Sequence, residues 1–263
     1  MIKKILQIAD IHIRNFKRHE EYNEQFEKFY ELARTEKPDR IVIVGDIAHQ
    51  KIQMSPELVL MVRQFLFKCS EIAKTIVLIG NHDFLTNNME RLDALTPIID
   101  AMNNPNIMYF TRSCVVEDEN IVWVPITLMD DNKIPDTFDP KNKIKDKTYI
   151  GLFHSPLIGV ETELGFKFTD VYALDNFIGL DWVLCGDIHK RQIIKESDPT
   201  IIMVGSMIQQ NFGETLSNHG YCSIDIENKE YNFVDIPNDY GFYQFKIKSI
   251  EDMEIGSEEI VNE

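Results

Sequence analysis

Residues 40–49 read Arg-Ile-Val-Ile-Val-Gly-Asp-Ile-Ala-His, a β-branched run that stops at a glycine and opens onto an aspartate and a histidine. Such a run favours a strand over a helix. Because it is apolar at every position, rather than at every second one, both of its faces are expected to be covered. The glycine suits a sharp exit from the strand. The pattern recurs along the chain. Residues 4–9 lead into Asp10-Ile11-His12, residues 75–79 into Gly80-Asn81-His82-Asp83, residues 148–153 into His154, and residues 182–185 into Gly186-Asp187-Ile188-His189. Residues 121–124 and 200–204 are further buried runs, and β character returns at 221–226, 231–236 and 242–247.

Between the strands lie helical stretches. Residues 20–37 place Tyr22, Phe26, Phe29, Tyr30 and Ala33 on one face. Ser55-Pro56-Glu57 is a cap residue followed by a proline in the first turn. Residues 88–102 read as a third helix, kinked at Pro97. Residues 130–146 read as a long polar surface loop. Alternating strands and helices predict a layered α/β architecture around buried sheet. In such sheets ligands gather beyond the carboxyl ends of the strands, so the five clusters should converge in one crevice.

Composition bounds what that crevice can do. The chain has 263 residues, 44% hydrophobic and 27% charged, which is the globular range. No apolar run approaches the ~18 residues of a membrane helix. The N-terminus runs straight into a strand without a signal-peptide pattern, so a cytoplasmic protein is expected, or a host-cytoplasmic one if the chain is viral, and not a secreted one. Cys69, Cys114, Cys185 and Cys222 form no Cys-x-x-Cys pair, which argues against a disulfide framework and against a thiolate zinc knot. The net charge of −16 opposes a partner that is simply polyanionic. Half of it sits in residues 225–263, with 11 acids against 3 lysines, and bound divalent cations would reverse the local sign elsewhere.

Five of the seven histidines, His12, His49, His82, His154 and His189, fall in the strand-end clusters beside Asp10, Asp46, Asn81 and Asp187. Imidazole with carboxylate suits Mn, Fe or Zn. Two such ions roughly 3.5–4 Å apart can clamp the attacking and leaving oxygens of a phosphoryl displacement. Singly, each cluster is an ordinary turn or cap, and His154 alone reads as a core histidine. Five in order, each closing a buried run, are hard to explain as turns.

Asp-x-His, Gly-Asp-x-x-His, Gly-Asn-His-Asp, an isolated histidine and a final Gly-x-x-His resemble the signature of calcineurin-like metallophosphoesterases, over residues 1 to about 213. The resemblance implies an αββα sandwich of mixed sheets flanked by helices, holding two divalent metal ions. His49, three residues after Asp46, points to the SbcD-like DNA repair nucleases, and Gly205-Ser206-Met207-Ile208-Gln209-Gln210-Asn211-Phe212-Gly213-Glu214 also resembles them, especially phage and viral members. By that likeness Asp10, His12, Asp46 and His189 would bind one metal. Asp46 (shared), Asn81, His154 and Asp187 would bind the other. His82 would protonate the leaving oxygen and His49 would position the scissile phosphate. Asp187 stands where the family usually has a histidine. An aspartate there shifts preference towards harder ions, Mn²⁺ first and Mg²⁺ or others next.

The expected activity is two-metal hydrolysis of phosphodiester bonds in DNA repair or recombination. The alternatives are a phosphoesterase for nucleotides or other small phosphoesters, and a non-catalytic binding module with Asp187 marking a degraded site. Arg14, Lys17, Arg18, Lys190 and Arg191 flank the first and last metal motifs and are candidate contacts to a DNA backbone. DNA is the expected partner. The family implies an SbcC-like coiled-coil ATPase besides, and the reading leaves room for a homodimer. One catalytic domain is expected over residues 1–248, followed by a short acidic tail, 249–263.

Overall fold

A computed structural model describes residues 1–243. The expected tail, the domain boundary at 248 and most of the expected strand 242–247 lie outside the described residues. In chain order the elements are β1 (Lys4–Ile8), α1 (His19–Glu36), β2 (Arg40–Val44), α2 (Pro56–Ile72), β3 (Lys74–Leu78), α3 (Thr96–Met102), β4 (Ile107–Phe110), β5 (Val116–Asp118), β6 (Ile121–Ile126), β7 (Thr148–His154), β8 (Trp182–Gly186), β9 (Gln192–Lys195), β10 (Thr200–Met203), β11 (Gly220–Asp225) and β12 (Glu230–Asp235). They form two six-stranded sheets, ordered β12-β11-β1-β2-β3-β4 and β5-β6-β7-β8-β10-β9. Both are mixed. Strands β1 to β4 run parallel, as do β6, β7, β8 and β10, and antiparallel strands complete the edges.

The uniformly apolar strands are explained by what covers them. From β1, β2 and β3, the side chains of Leu6, Ile8, Ile41, Ile43 and Val77 face outward onto Phe26, Phe29 and Tyr30 of α1 and Phe65 of α2. Their alternates Ile5, Val42, Val44, Ile76 and Leu78 pack inward against Trp123, Ile150, Leu152, Trp182 and Leu184 of the second sheet. Full burial of each such side chain contributes ~1.5–3 kcal/mol. Buried Gln7 is a polar residue between the sheets: it donates from Nε2 to the Cys185 carbonyl at 3.0 Å, tying β1 to β8 near the ends that matter.

The expected αββα sandwich is thus observed, with an uneven outer layer. All three described α-helices cover the first sheet. The second sheet buries Val122, Phe153, Val183 and Met203 under Phe138, Leu157, Phe177 and Leu180, which come from ordered loops and a short 3-10 turn, Leu174–Phe177. No described helix is long and apolar enough to cross a membrane. All four cysteines are free.

The expected third helix, 88–102, is corrected to Thr96–Met102. Pro97 lies in its first turn rather than at a kink, and the Asp93 carboxylate accepts from the Leu95 and Thr96 backbone N–H groups, so the helix starts there. Strands β4, β5 and β9 escaped the sequence reading. Each is the edge of its sheet and half-buried, and so lacks the continuous apolar run that identified the others.

Candidate metal centre

Parallel neighbours β1, β2 and β3 release their loops side by side, and β7 and β8 do the same from the facing sheet. The loops after β1 and β2 are locked together by His12 N–H to the Asp46 carbonyl (2.9 Å), Ile13 N–H to the Ile47 carbonyl (2.9 Å) and His49 N–H to the Ile13 carbonyl (3.0 Å). Tyr22 from α1 donates its hydroxyl to the His12 carbonyl, and Gln210 donates to that of Ile11. Asp10, His12, Asp46 and Asp187 all hold left-handed backbone, with φ of 51°, 50°, 55° and 86°. Such conformations cost of order 1–3 kcal/mol each for non-glycine residues and persist only when surrounding structure imposes them.

Two glycines show how tightly the loops approach. A Cβ on Gly80 would lie 2.2 Å from both the backbone nitrogen and Oδ1 of Asp46. A Cβ on Gly45, itself at φ +79°, would lie 2.2 Å from Nδ1 of His154. Asp83 caps both turns at once: its buried carboxylate accepts from Asp46 N–H (3.0 Å), Gly80 N–H (2.9 Å) and Ala48 N–H (2.9 Å). It therefore braces the Gly45–Ala48 and Gly80–Asn81 turns and makes no hydrogen bond to the His82 ring.

The ligand candidates meet in two overlapping groups. Asp10, His12 and His189 offer atoms within 4.8 Å of one another, and so do Asp10, Asp46 and His154. His12 is the hub, with Nε2 3.1 Å from His189 Nε2, 3.5 Å from Asp46 Oδ2 and 4.0 Å from Asp10 Oδ1. His154 Nε2 lies 3.3 Å from Asp46 Oδ1 and 3.9 Å from Asp187 Oδ1. Asp187 donates its N–H to both Asp10 carboxylate oxygens at 3.1 Å. Asp10 thus reaches both groups, as Asp46 does, whereas the family pattern shares only Asp46. Asn81 and Asp187 line a common cavity beside them.

The donor set fits divalent cations. His154 donates from Nδ1 to the Val44 carbonyl at 2.7 Å, which turns Nε2 into the site, where it is buried without a hydrogen-bond partner. Asn81 Oδ1 is orphaned in the same way. Burial alone would lower the His154 imidazole, yet Asp46, Asp10 and Asp187 raise it well above the usual histidine range, so the pocket favours positive charge at Nε2. Burial likewise pushes Asp10 up to about 7, against the pull of His154 and His189. Asp46 is opposed by burial, but His154, His12 and His82 hold it well below the usual carboxylate value. The carboxylate and imidazole atoms, with no thiolate, suit harder or borderline ions.

His49 and His82 sit beside this centre. Their rings stack at 5.2 Å with 18° between planes, and both lie edge-on to His12, at 5.2 and 4.8 Å. His82 receives no help from Asp83. Its Nδ1 donates to the His49 carbonyl at 2.9 Å and its backbone N–H to Asp46 Oδ1 at 2.8 Å. Burial, then Arg14, lowers His49 to about 4, leaving it neutral near pH 7.

The five basic candidates behave unequally. Arg18 forms a two-pronged pair with Glu21 (2.6 and 2.7 Å) and lies over the Phe242 ring. Lys190 binds Glu161 at 2.9 Å, and Arg191 binds Asp235 at 2.5 Å. Arg14 donates to the Gln210 carbonyl, and Lys17 is exposed. One contact had no signal in the sequence: His189 Nδ1 lies 2.7 Å from buried Glu214, 25 residues away.

Residues 3–191 match the model of the calcineurin-like phosphoesterases, and the chain belongs to that family. That family of hydrolases is metal-dependent, and the cluster of Asp and His donors here suits a metal. Over 256 residues it is 36% identical to Uncharacterized protein R555 of Acanthamoeba polyphaga mimivirus, a match that covers 94% of this chain and 19% of that protein. The chain therefore spans about a fifth of the length of this curated relative. Among solved structures it is similar to a novel archaeal phosphodiesterase, at 15% identity and a TM-score of 0.46, covering 87% of this chain and 97% of the other. It is also similar to the phosphopantetheinyl hydrolase of Mycobacterium tuberculosis, at 12% identity and a TM-score of 0.48, covering 78% and 90%.

Proposed function

We propose that the chain is a Mn²⁺-dependent phosphodiesterase of the SbcD type that cleaves DNA. Asp10, His12, Asp46 and His189 would hold one ion, and Asp46, Asn81, His154 and Asp187 the other. Bound there, divalent cations supply Lewis acidity and charge neutralisation at a phosphoryl group. The protein's own residues do the rest. Because the Nδ1–H of His82 is spent on the His49 carbonyl, the proton it delivers to a leaving oxygen must come from Nε2 of the imidazolium form. His49, neutral and stacked alongside, offers hydrogen bonding rather than charge to the scissile phosphate. The observation that supports the reading is this pairing of the His49 and His82 rings, both edge-on to His12, which would let one position a phosphate while the other delivers a proton.

A second reading, hydrolysis of nucleotides or other small phosphoesters, is favoured by Arg18, Lys190 and Arg191, whose charges are already met by carboxylates. In the nuclease reading the expected partner is an SbcC-like coiled-coil ATPase, which co-purification would test.

The deciding experiment incubates the protein and His82→Ala with Mn²⁺ and, separately, end-labelled duplex DNA, single-stranded DNA and a generic phosphodiester. The proposal expects cleavage of at least one DNA, reduced about 10²–10⁴-fold by the substitution while Mn²⁺ binding persists. Cleavage of the generic ester alone selects the second reading. Inactivity on all three, with no Mn²⁺ retained, leaves a binding module.

A further inference from the structure

The segment after β10 carries a buried acid that the hydrolytic scheme does not use. Glu214 is 9% exposed, and both of its oxygens are fully engaged. Oε1 faces His189 Nδ1 at 2.7 Å and accepts from Asn211 Nδ2 at 2.5 Å. Oε2 accepts from the Gln210 backbone N–H at 2.8 Å and from the Ser206 hydroxyl at 3.3 Å. The backbone reinforces the arrangement. Ser206 N–H donates to the His189 carbonyl at 3.0 Å, and Glu214 N–H closes a turn on the Asn211 carbonyl at 3.2 Å. Gly205, at φ +78°, lets the segment pass close to residues 189–191, where a Cβ would meet the His189 carbonyl at 2.6 Å.

A carboxylate can only accept, so the proton on this face of the His189 ring belongs to Nδ1. The other nitrogen, Nε2, then turns its lone pair towards His12 Nε2 (3.1 Å) and Asp10 Oδ1 (3.9 Å). Two imidazole nitrogens so close repel unless a proton or cation lies between them. Carboxylates that hold the outer nitrogen of a ligating histidine fix its tautomer and raise its basicity.

We propose that Glu214 is a positioning residue of the metal centre, holding the His189 ring with Nε2 aimed at Asp10 and His12, so that residues 206–214 belong functionally to the site. The inference rests on reading His189 as a metal ligand. It explains why a segment remote from the five strand ends is buried against them, and why the acid there has four donors.

The test strips divalent ions from the protein and titrates Mn²⁺ calorimetrically into wild type, Glu214→Gln and Glu214→Ala, with chemical unfolding as the control for folding. Glu214→Ala should weaken one Mn²⁺ about 10–100-fold and leave the other little changed, while Glu214→Gln, which keeps an acceptor for Nδ1–H, should lie between. A merely structural role would lower stability and weaken both ions together, which overturns the proposal, as does a folded Glu214→Ala with unchanged binding. If Glu214→Ala does not fold, Glu214→Gln decides in the same way. Nitrogen-15 spectra of metal-free wild type at alkaline pH should show His189 as the Nδ1–H tautomer; an Nε2–H tautomer overturns it. Wild type that binds no Mn²⁺ instead overturns the ligand assignment of His189, with Glu214 then only a loop brace.

Discussion

His154 and Val44 stand 2.7 Å apart, imidazole Nδ1 to backbone carbonyl, and this contact decides which nitrogen of the histidine faces the centre. The bond comes from the last residue of β2 and the last of β7, so the packing of two sheets sets the orientation of a candidate ligand.

Replacing His154 by Ala should remove one of two Mn²⁺ equivalents in a calorimetric titration. The loss should be at least as large as the ~10–100-fold weakening that follows loss of an outer partner. Leaving the Val44 carbonyl without its donor should also cost ~1–3 kcal/mol of stability, read by urea unfolding. Full retention of both ions would exclude His154 as a ligand.

Gly80→Ala should be costlier than its size suggests. The added methyl would sit 2.2 Å from Asp46 backbone, which cannot swing aside as a flexible side chain can. Overpacking of this kind typically costs ~1–3 kcal/mol, and displacement of Asp46 should weaken Mn²⁺ binding as well. Gly159→Ala is the control: at φ +89° with open space around it, it carries backbone strain only, and Mn²⁺ affinity should be unchanged.

Asp83→Ala strips the acceptor from three buried N–H groups. Since an orphaned buried donor costs ~1–3 kcal/mol, a loss of about 3 kcal/mol or more is expected in urea, together with poorer metal binding, because both braced turns carry candidate ligands. Asp83→Asn keeps one oxygen and should fall between. Equal stability of all three proteins would remove Asp83 from this role.

At the opposite end of the sheets, Asp118 receives Arg40 in a two-pronged pair (2.7 and 2.8 Å), Lys74 at 3.3 Å and Trp123 Nε1 at 3.1 Å. Burial opposes its charge, but the Arg40 hydrogen bonds lead the groups that hold its carboxyl down to about 2. A folded-state value below the ordinary 3.8 means the stabilisation is fully present above pH ~4–5 and is lost as pH falls towards 2. The contribution is about 2 kcal/mol. Urea midpoints measured across the acid range should show this decline in wild type and lack it in Asp118→Asn. Asp118→Ala, which takes away the two-pronged partner of Arg40 and leaves it with Glu119 at 3.1 Å, should lose roughly 1–3 kcal/mol at neutral pH.

Most of the scaffold was legible because strands buried on both faces spell themselves out. Residues 41–44 and 182–185 are apolar at every position, and their polar exits mark where the site lies. Edge strands such as Gln192–Lys195 gave no such signal, being half-buried. The start of α3 was misplaced because the Asp93 carboxylate, and not helical periodicity, determines it. Strand-end residues of the centre could be read one motif at a time. Contacts that depend on two remote segments meeting could not: the double reach of Asp10, the brace from Asp83 and the Glu214–His189 pair all arise only once the sheets have packed.

The carboxylate partners of Arg18, Lys190 and Arg191 have a consequence for how an anion is caught in the first place. Basic side chains whose charge is already neutralised give little long-range pull on a phosphate, and the protein's net −16 repels it. In the two-metal reading the attraction would come chiefly from cations held among Asp10, Asp46 and Asp187, with Arg14 and exposed Lys17 adding to it. Chelation should accordingly abolish capture along with turnover, so that a chelated protein fails even to compete for substrate, and raising ionic strength should slow encounter far less than it does for enzymes ringed with free arginines.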